Sequence, residues 1–429
     1  MTIILIIWVL PVRYHGSKPL TWTDWQLKAP NLPNTFVTTS LCSPSRASIL
    51  SGQYSHTHTI VDNQAPNPGN LIFFLTYLQE ANYQTALFGR WHMGSHTDEP
   101  RPGFDHWESF HGQGVYYNPQ LNISGKRKQH KDSTYITDLL TEHAIDRLKH
   151  RDKDKPFFMY LSHKAVHSEF KPAKWHKGKY KGKKIDLPST YDQTKTGEWR
   201  DLKWPKWVAE QRVSWHGVDY TYHTNIGIHG FIQAYCETLL GVDGSLGSVM
   251  KYLESAGIDD STLLIYMSEY GFSWGEHGLI DKRRFYEESV KVPLLVRCPE
   301  LFQKGTQPKA MVQNIDIAPT ILAEAVKKPD YMPGVSFMPV LTVDYPAANR
   351  KEVFYEYHWE KDFPMTPTMF GMRTDQYKYI RYQGIWDRNE FYDLLNDPDE
   401  KHNLIGDPTK QGTNKNMPQS LYGWLAETD

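Results

Sequence analysis

The sequence predicts an α/β fold built on a mostly parallel sheet, with a smaller antiparallel sheet near the C-terminus. Three observations predict it. Short, continuously apolar runs recur at residues 3–7, 156–161 and 261–267. Strands buried on both faces of a parallel sheet read this way. Segments of helical period lie between them, at residues 73–81, 135–149 and 230–256. After about Pro339 the pattern changes to short, aromatic-rich, alternating stretches at 353–357, 368–373 and 377–381. Those read as an antiparallel sheet.

In chain order, Ile3, Ile4, Leu5, Ile6 and Ile7 read as a buried first strand. A helix opens near Ser45, after the Cys42-Ser43-Pro44 turn. Residues 84–88 and 292–296 are short strands, and 314–325 a helix with Asp316 in its first turn. Residues 168–228 are rich in Lys, Trp, Pro and Gly and read as a long loop excursion over the active face. A closing helix is expected near 420–426. The alternation of strands and helices fixes the class. It divides the chain into a catalytic domain over 1–340 and a C-terminal subdomain over 341–429.

Composition excludes several functions. The chain has 429 residues, with 48 Lys and Arg against 49 Asp and Glu, for a net charge of -1. That balance offers no electrostatic grip on nucleic acid. The apolar start is too short to span a bilayer, and it lacks the pattern of a signal peptide. A basic run at 177–184 reads as a solvated loop or as a patch for an anionic polymer. The 14 Trp and 26 Tyr suit stacking on sugar faces as well as core packing. Cys42, Cys236 and Cys298 are the 3 cysteines, with no C-x-x-C pair and so no cysteine zinc site.

Cys42 is the candidate nucleophile. A tyrosine-phosphatase loop would need Arg at position 48, where Ser48 stands. Cys42-Ser43-Pro44-Ser45-Arg46, followed by Leu50-Ser51-Gly52, instead resembles the signature of the formylglycine-dependent type I sulfatases. The resemblance runs along the chain. It continues at Gly89-Arg90-Trp91-His92-Met93-Gly94, at Ser268-Glu269-Tyr270-Gly271, at Gly275-Glu276-His277-Gly278 with Lys282, at Asp316-Ile317-Ala318-Pro319-Thr320, and at Tyr392-Asp393-Leu394. It is nearest to glycan sulfatases of the N-acetylglucosamine-6-sulfatase type.

The resemblance implies an alkaline-phosphatase-like α/β/α sandwich and hydrolysis of sulfate esters on a carbohydrate. Cys42 would be oxidised to formylglycine by a formylglycine-generating or anaerobic sulfatase-maturating enzyme. Arg46 and His92 would support the nucleophile, Lys282 and Arg90 would hold sulfate oxygens, and His167 would contact sulfate and assist the leaving group. His277 would bind substrate. Such a pocket needs fixed cations and donors where charge develops, and a general acid for the leaving alkoxide.

The resemblance also implies calcium held by hard oxygen ligands, and here the pattern departs. The first strand is followed by Trp8-Val9-Leu10-Pro11 with no Asp or Glu before Asp24, and residues 29–36 read as shortened. The remaining metal positions are Glu269 and Tyr270, of which Tyr is a poor neutral ligand. Losing the dication would remove several kcal/mol of transition-state stabilisation. Two alternatives therefore stand beside the enzyme. One is an inactive relative that binds sulfated glycans through Arg46, Arg90, His167 and Lys282. The other is a phosphatase or phosphonate hydrolase of the same superfamily.

Overall fold

The computed structural model describes residues 2–8, 29–93, 97–302, 305–342, 350–384 and 388–428. Eight strands form the main sheet: β1 (Thr2–Trp8), β2 (Gln84–Gly89), β3 (His106–Ser109), β4 (Gln120–Ile123), β5 (Lys126–Gln129), β6 (Phe157–Ser162), β7 (Thr262–Ser268) and β8 (Leu294–Arg297). Their order is β8-β7-β1-β6-β2-β3-β4-β5. β1 pairs in parallel with both β6 and β7, so the apolar first run is a central strand. β8, β4 and β5 run antiparallel to their neighbours.

Alternation along these strands feeds two cores. Phe157, Met159 and Leu161 of β6 pack with one cluster, which includes residues of helices α3 (Ile136–Lys149) and α4 (Ile228–Ser255). Phe158 and Tyr160 pack with the other, beside helices α1 (Cys42–Ser51), α2 (Leu75–Glu80) and α5 (Ile317–Ala323). Helices on both faces of one sheet make the α/β/α sandwich that the sequence implies. A second sheet carries β9 (Val353–Tyr357), β10 (Met369–Arg373), β11 (Tyr377–Tyr382) and β12 (Glu390–Asp393), all antiparallel. Helix α6 (Gln411–Thr428) closes the fold, much longer than the stretch at 420–426.

Other differences have local causes. α1 begins at Cys42 rather than Ser45, because proline is compatible with a first helical turn and Pro44 sits there. The run at 292–296 breaks at Pro293, which lacks a ladder donor; Lys291–Val292 pairs elsewhere, with Thr35–Phe36. β3, β4, β5 and β12 escape sequence reading. β5 is Lys-Arg-Lys-Gln, exposed at every position, and carries no apolar signal.

One glycine fixes the approach to the site. Gly89 ends β2 at φ +108°, and a Cβ there would lie 1.9 Å from the Ser162 carbonyl oxygen. That oxygen accepts the Arg90 amide at 2.7 Å. Gly89→Ala is expected to destabilise the fold by about 3–5 kcal/mol, among the large single-residue effects. Chemical denaturation measures it, and a loss below about 1 kcal/mol would contradict the tight crossing.

Candidate active site

Three loops leave the carboxyl ends of β2, β6 and β7 and converge on the N-terminus of α1. β2 delivers Arg90 and His92, β6 delivers Lys164 and His167, and β7 delivers Glu269 and Tyr270. Ligand sites of open parallel sheets lie at these ends. Cys42 is 1% exposed at the first position of α1. It forms part of the wall of a cavity of about 660 Å³, together with His92, His167 and Lys282. Ser168, Trp215 and Tyr222, from the long excursion, line it too, as do Glu360 and Phe363 from beyond β9.

The thiol stands in a cationic ring. Tyr270 Oη lies 3.4 Å from Cys42 Sγ and accepts from Lys282 Nζ at 3.1 Å. The ammonium also sits over the Tyr270 ring, 4.5 Å from its centre. Burial pushes the Cys42 thiol up, but the Lys282 and Arg90 charges and hydrogen bonding with His167 and His92 outweigh it. The net result is well below the ordinary thiol range. Burial, and then the Cys42 and Glu269 charges, hold Tyr270 well above the usual phenol range, so it keeps its proton.

The histidines are neutral donors or acceptors at rest. His167 Nδ1 donates to the Ser168 carbonyl at 2.8 Å, which leaves Nε2 as the acceptor. An Arg90 amino group lies 3.1 Å from His92 Nδ1, and the Gln113 side-chain amide nitrogen lies 3.1 Å from His92 Nε2, so both ring nitrogens face donors. Burial and the Arg90 charge bring His92 down to about 4, and burial brings His167 to about 3.

Arg46 and Arg90 lie behind the cavity wall, both fully buried. Arg46 pairs with Glu269 at 2.5 Å and donates to the Arg90 carbonyl and Ser162 hydroxyl, each at 2.6 Å. Arg90 pairs with the other Glu269 oxygen at 2.9 Å and reaches Gln113 at 2.5 Å. Sequence reading put Glu269 and Tyr270 among metal ligands. The structure gives both Glu269 oxygens to guanidinium groups and the Tyr270 hydroxyl to Lys282 and Cys42. Among the described residues, no group of three His, Cys, Asp or Glu side chains could hold a metal ion. Residues 9–28, which include Asp24 and follow the first strand, lie outside the described residues. The described residues do not fit calcium.

His277 is not brought to the cavity. It is 1% exposed, stacks on Tyr286 at 4.2 Å between ring centres, and meets the Glu400 carbonyl through Nε2 at 3.1 Å. Sequence reasoning missed Gln113, which links Arg90 to His92, and Asn63, which accepts the Ser43 amide at 3.1 Å. Neither lies in a recognisable motif.

The buried histidines predict an acid-sensitive fold. His58 is held near 4 by burial, and His163 near 3 by the same cause. With His92 and His167, four imidazoles take up protons more readily unfolded than folded. Below about pH 6.5 the unfolded chain binds the extra protons, so stability falls as pH drops toward 4–3. Each group contributes up to about 1.4 kcal/mol per pH unit in that window. Denaturant midpoints between pH 7 and 4 measure this, and a flat profile would refute it.

Fold and site together define a class first: an α/β/α fold of the kind that hydrolyses oxyanion esters, with a cation-ringed cysteine at the strand ends. The sulfatase profile matches residues 17–325, and the profile described as N-sulphoglucosamine sulphohydrolase, C-terminal, matches 275–426. The chain belongs to the sulfatase family, enzymes that hydrolyse sulfate esters. It is 32% identical to the N-acetylglucosamine-6-O-sulfatase of Bacteroides thetaiotaomicron, over 90% of this chain and 78% of that one. It is 30% identical to the N-acetylglucosamine-6-sulfatase of Homo sapiens, over 78% of this chain and 62% of that one. A solved structure in complex with its substrate D-glucosamine-2-N,6-O-disulfate superposes with a TM-score of 0.86. The two are 29% identical, covering 100% of this chain and 97% of the other. The phosphonate monoester hydrolase of Agrobacterium radiobacter, at 18% identity and a TM-score of 0.78, shares the fold.

Proposed function

We propose that this chain removes a 6-O-sulfate from a glucosamine-type sugar, using residue 42 after a maturating enzyme has oxidised its thiol to formylglycine. The observation that carries the reading is Cys42 of C-x-P-S-R at the start of α1, in a cavity wall shared with Lys282, His92 and His167. The names of the relatives that are 30–32% identical support the choice of sugar.

Formylglycine supplies a hydrated aldehyde whose hydroxyl attacks sulfur. The chain's own residues do the rest. Lys282 Nζ orients sulfate oxygens and offsets the charge that gathers on them. A bound sulfate monoester places negative charge beside His167 and favours its protonated form. That proton then lies where the alkoxide departs. His92 is held in the cavity wall by Arg90 and Gln113. Trp215 and Phe363 line the cavity in which the sugar would sit.

The test is production with a maturating enzyme, followed by mass spectrometry of the peptide that contains Cys42. Aldehyde in place of thiol is the expected result. The matured protein should release sulfate from 6-O-sulfated glucosamine faster than from 2-O- or 4-O-sulfated sugars. Sugar binding without release would instead support the non-catalytic binder. Faster cleavage of a phosphonate monoester would move the chain to that chemistry.

A further inference from the structure

The carboxylate of Glu269, fully buried, carries two guanidinium partners, Arg46 at 2.5 Å and Arg90 at 2.9 Å. Two cations on one anion leave a surplus positive charge in the interior. The Nε atoms of both arginines are buried without a hydrogen bond. Burying an uncompensated cation is expensive, so this surplus needs a negative charge nearby. An anion in the cavity, beside residue 42, would meet that need.

Tyr270 completes the arrangement. Its hydroxyl accepts from Lys282, an obligate donor, so its own proton is free to go to Cys42 Sγ at 3.4 Å. A calcium ion needs bare oxygens at roughly 2.3–2.6 Å. Here one candidate carboxylate is bound twice over, and the neighbouring phenol keeps its proton.

We propose that Arg90, anchored by Glu269, and the Tyr270 hydroxyl, oriented by Lys282, replace the divalent cation of the family, so that residue 42 and a bound sulfate are held without metal. The proposal rests on the reading of the cavity as a sulfate site. It changes what holds the anion: a planar guanidinium and a phenol proton in place of a dication.

Inorganic sulfate and calcium chloride are the probes, on the full chain with Cys42 unmodified. Calorimetry is expected to give no calcium binding, and the melting temperature should be the same in calcium and in chelator. Sulfate should bind equally in both. Arg90→Gln should weaken sulfate binding about tenfold or more, through loss of a buried positive charge behind the cavity wall, and calcium should not restore it. Arg90→Lys keeps a cation should the glutamine variant fail to fold, and its sulfate binding should likewise ignore calcium. In Tyr270→Phe the alkylation rate of Cys42 by a small haloacetamide should shift to higher pH. A merely structural tyrosine would leave that profile in place.

Stoichiometric calcium binding at micromolar affinity, or sulfate binding that needs calcium, would overturn the proposal. The two readings also fail separately. Metal-independent sulfate binding with no turnover by matured protein rejects the sulfatase reaction and keeps this inference. Turnover abolished by chelator rejects this inference and keeps the reaction.

Discussion

Cys42→Ala in chain co-produced with a maturating enzyme is expected to lower kcat by about 10⁴-fold or more, the scale of losing a nucleophile whose partners act as a unit. The reason is positional. Cys42 is the side chain on which Lys282, Arg90, His92 and His167 all act. Removing it leaves these groups aimed at nothing that can attack. Substrate binding should persist, because Lys282 and His167 remain in the cavity wall. KM should therefore move far less than kcat. Stability should move little as well, because the side chain lost is small, though its contacts with Tyr270, His92 and His167 go with it. A variant that keeps more than about a tenth of wild-type turnover would place the nucleophile elsewhere. One that loses KM and kcat together would point to a collapsed cavity.

The features legible in sequence share a physical cause. β6 and β7 were readable because both their faces are buried, which forces an unbroken apolar run. Cys42, His92, His167 and Lys282 were readable because their motifs are local, and the fold brings them to one cavity. What stayed hidden depends on pairs distant in sequence. Arg90 and Glu269 are 179 positions apart, and their ion pair has no local pattern. Sequence reading therefore gave Arg90 to sulfate and Glu269 to a metal, whereas the structure pairs them behind the cavity. His277 lies in a motif yet packs against Tyr286 and Glu400, so the motif marks a local turn there, with His277 at φ +56°. The polar strand β5 pairs only through backbone, and so left no mark on the hydrophobic pattern.

Glu269→Gln is expected to destabilise the chain by about 3–5 kcal/mol, the range for removing one partner of a buried ion pair. Glutamine keeps the volume and can still hydrogen-bond, so packing loss contributes little. The loss is electrostatic: Arg46 and Arg90 remain fully buried with no countercharge. The surface pair Lys206 and Glu210 gives the scale. It is closed at 3.0 Å but 67% and 49% exposed, and Lys206→Ala should cost less than about 1 kcal/mol. Denaturant midpoints compare the two. The same substitution should act oppositely on Cys42. Without the Glu269 anion, the guanidinium charge beneath the thiol is no longer offset, so thiolate is favoured further and alkylation should extend to lower pH. A variant that is less stable yet has a more acidic thiol separates a charge relay from a structural brace. If stability fell and the alkylation profile stayed fixed, Glu269 would only be holding the arginines in place. If both stayed fixed, the buried triad would carry neither the fold nor the site.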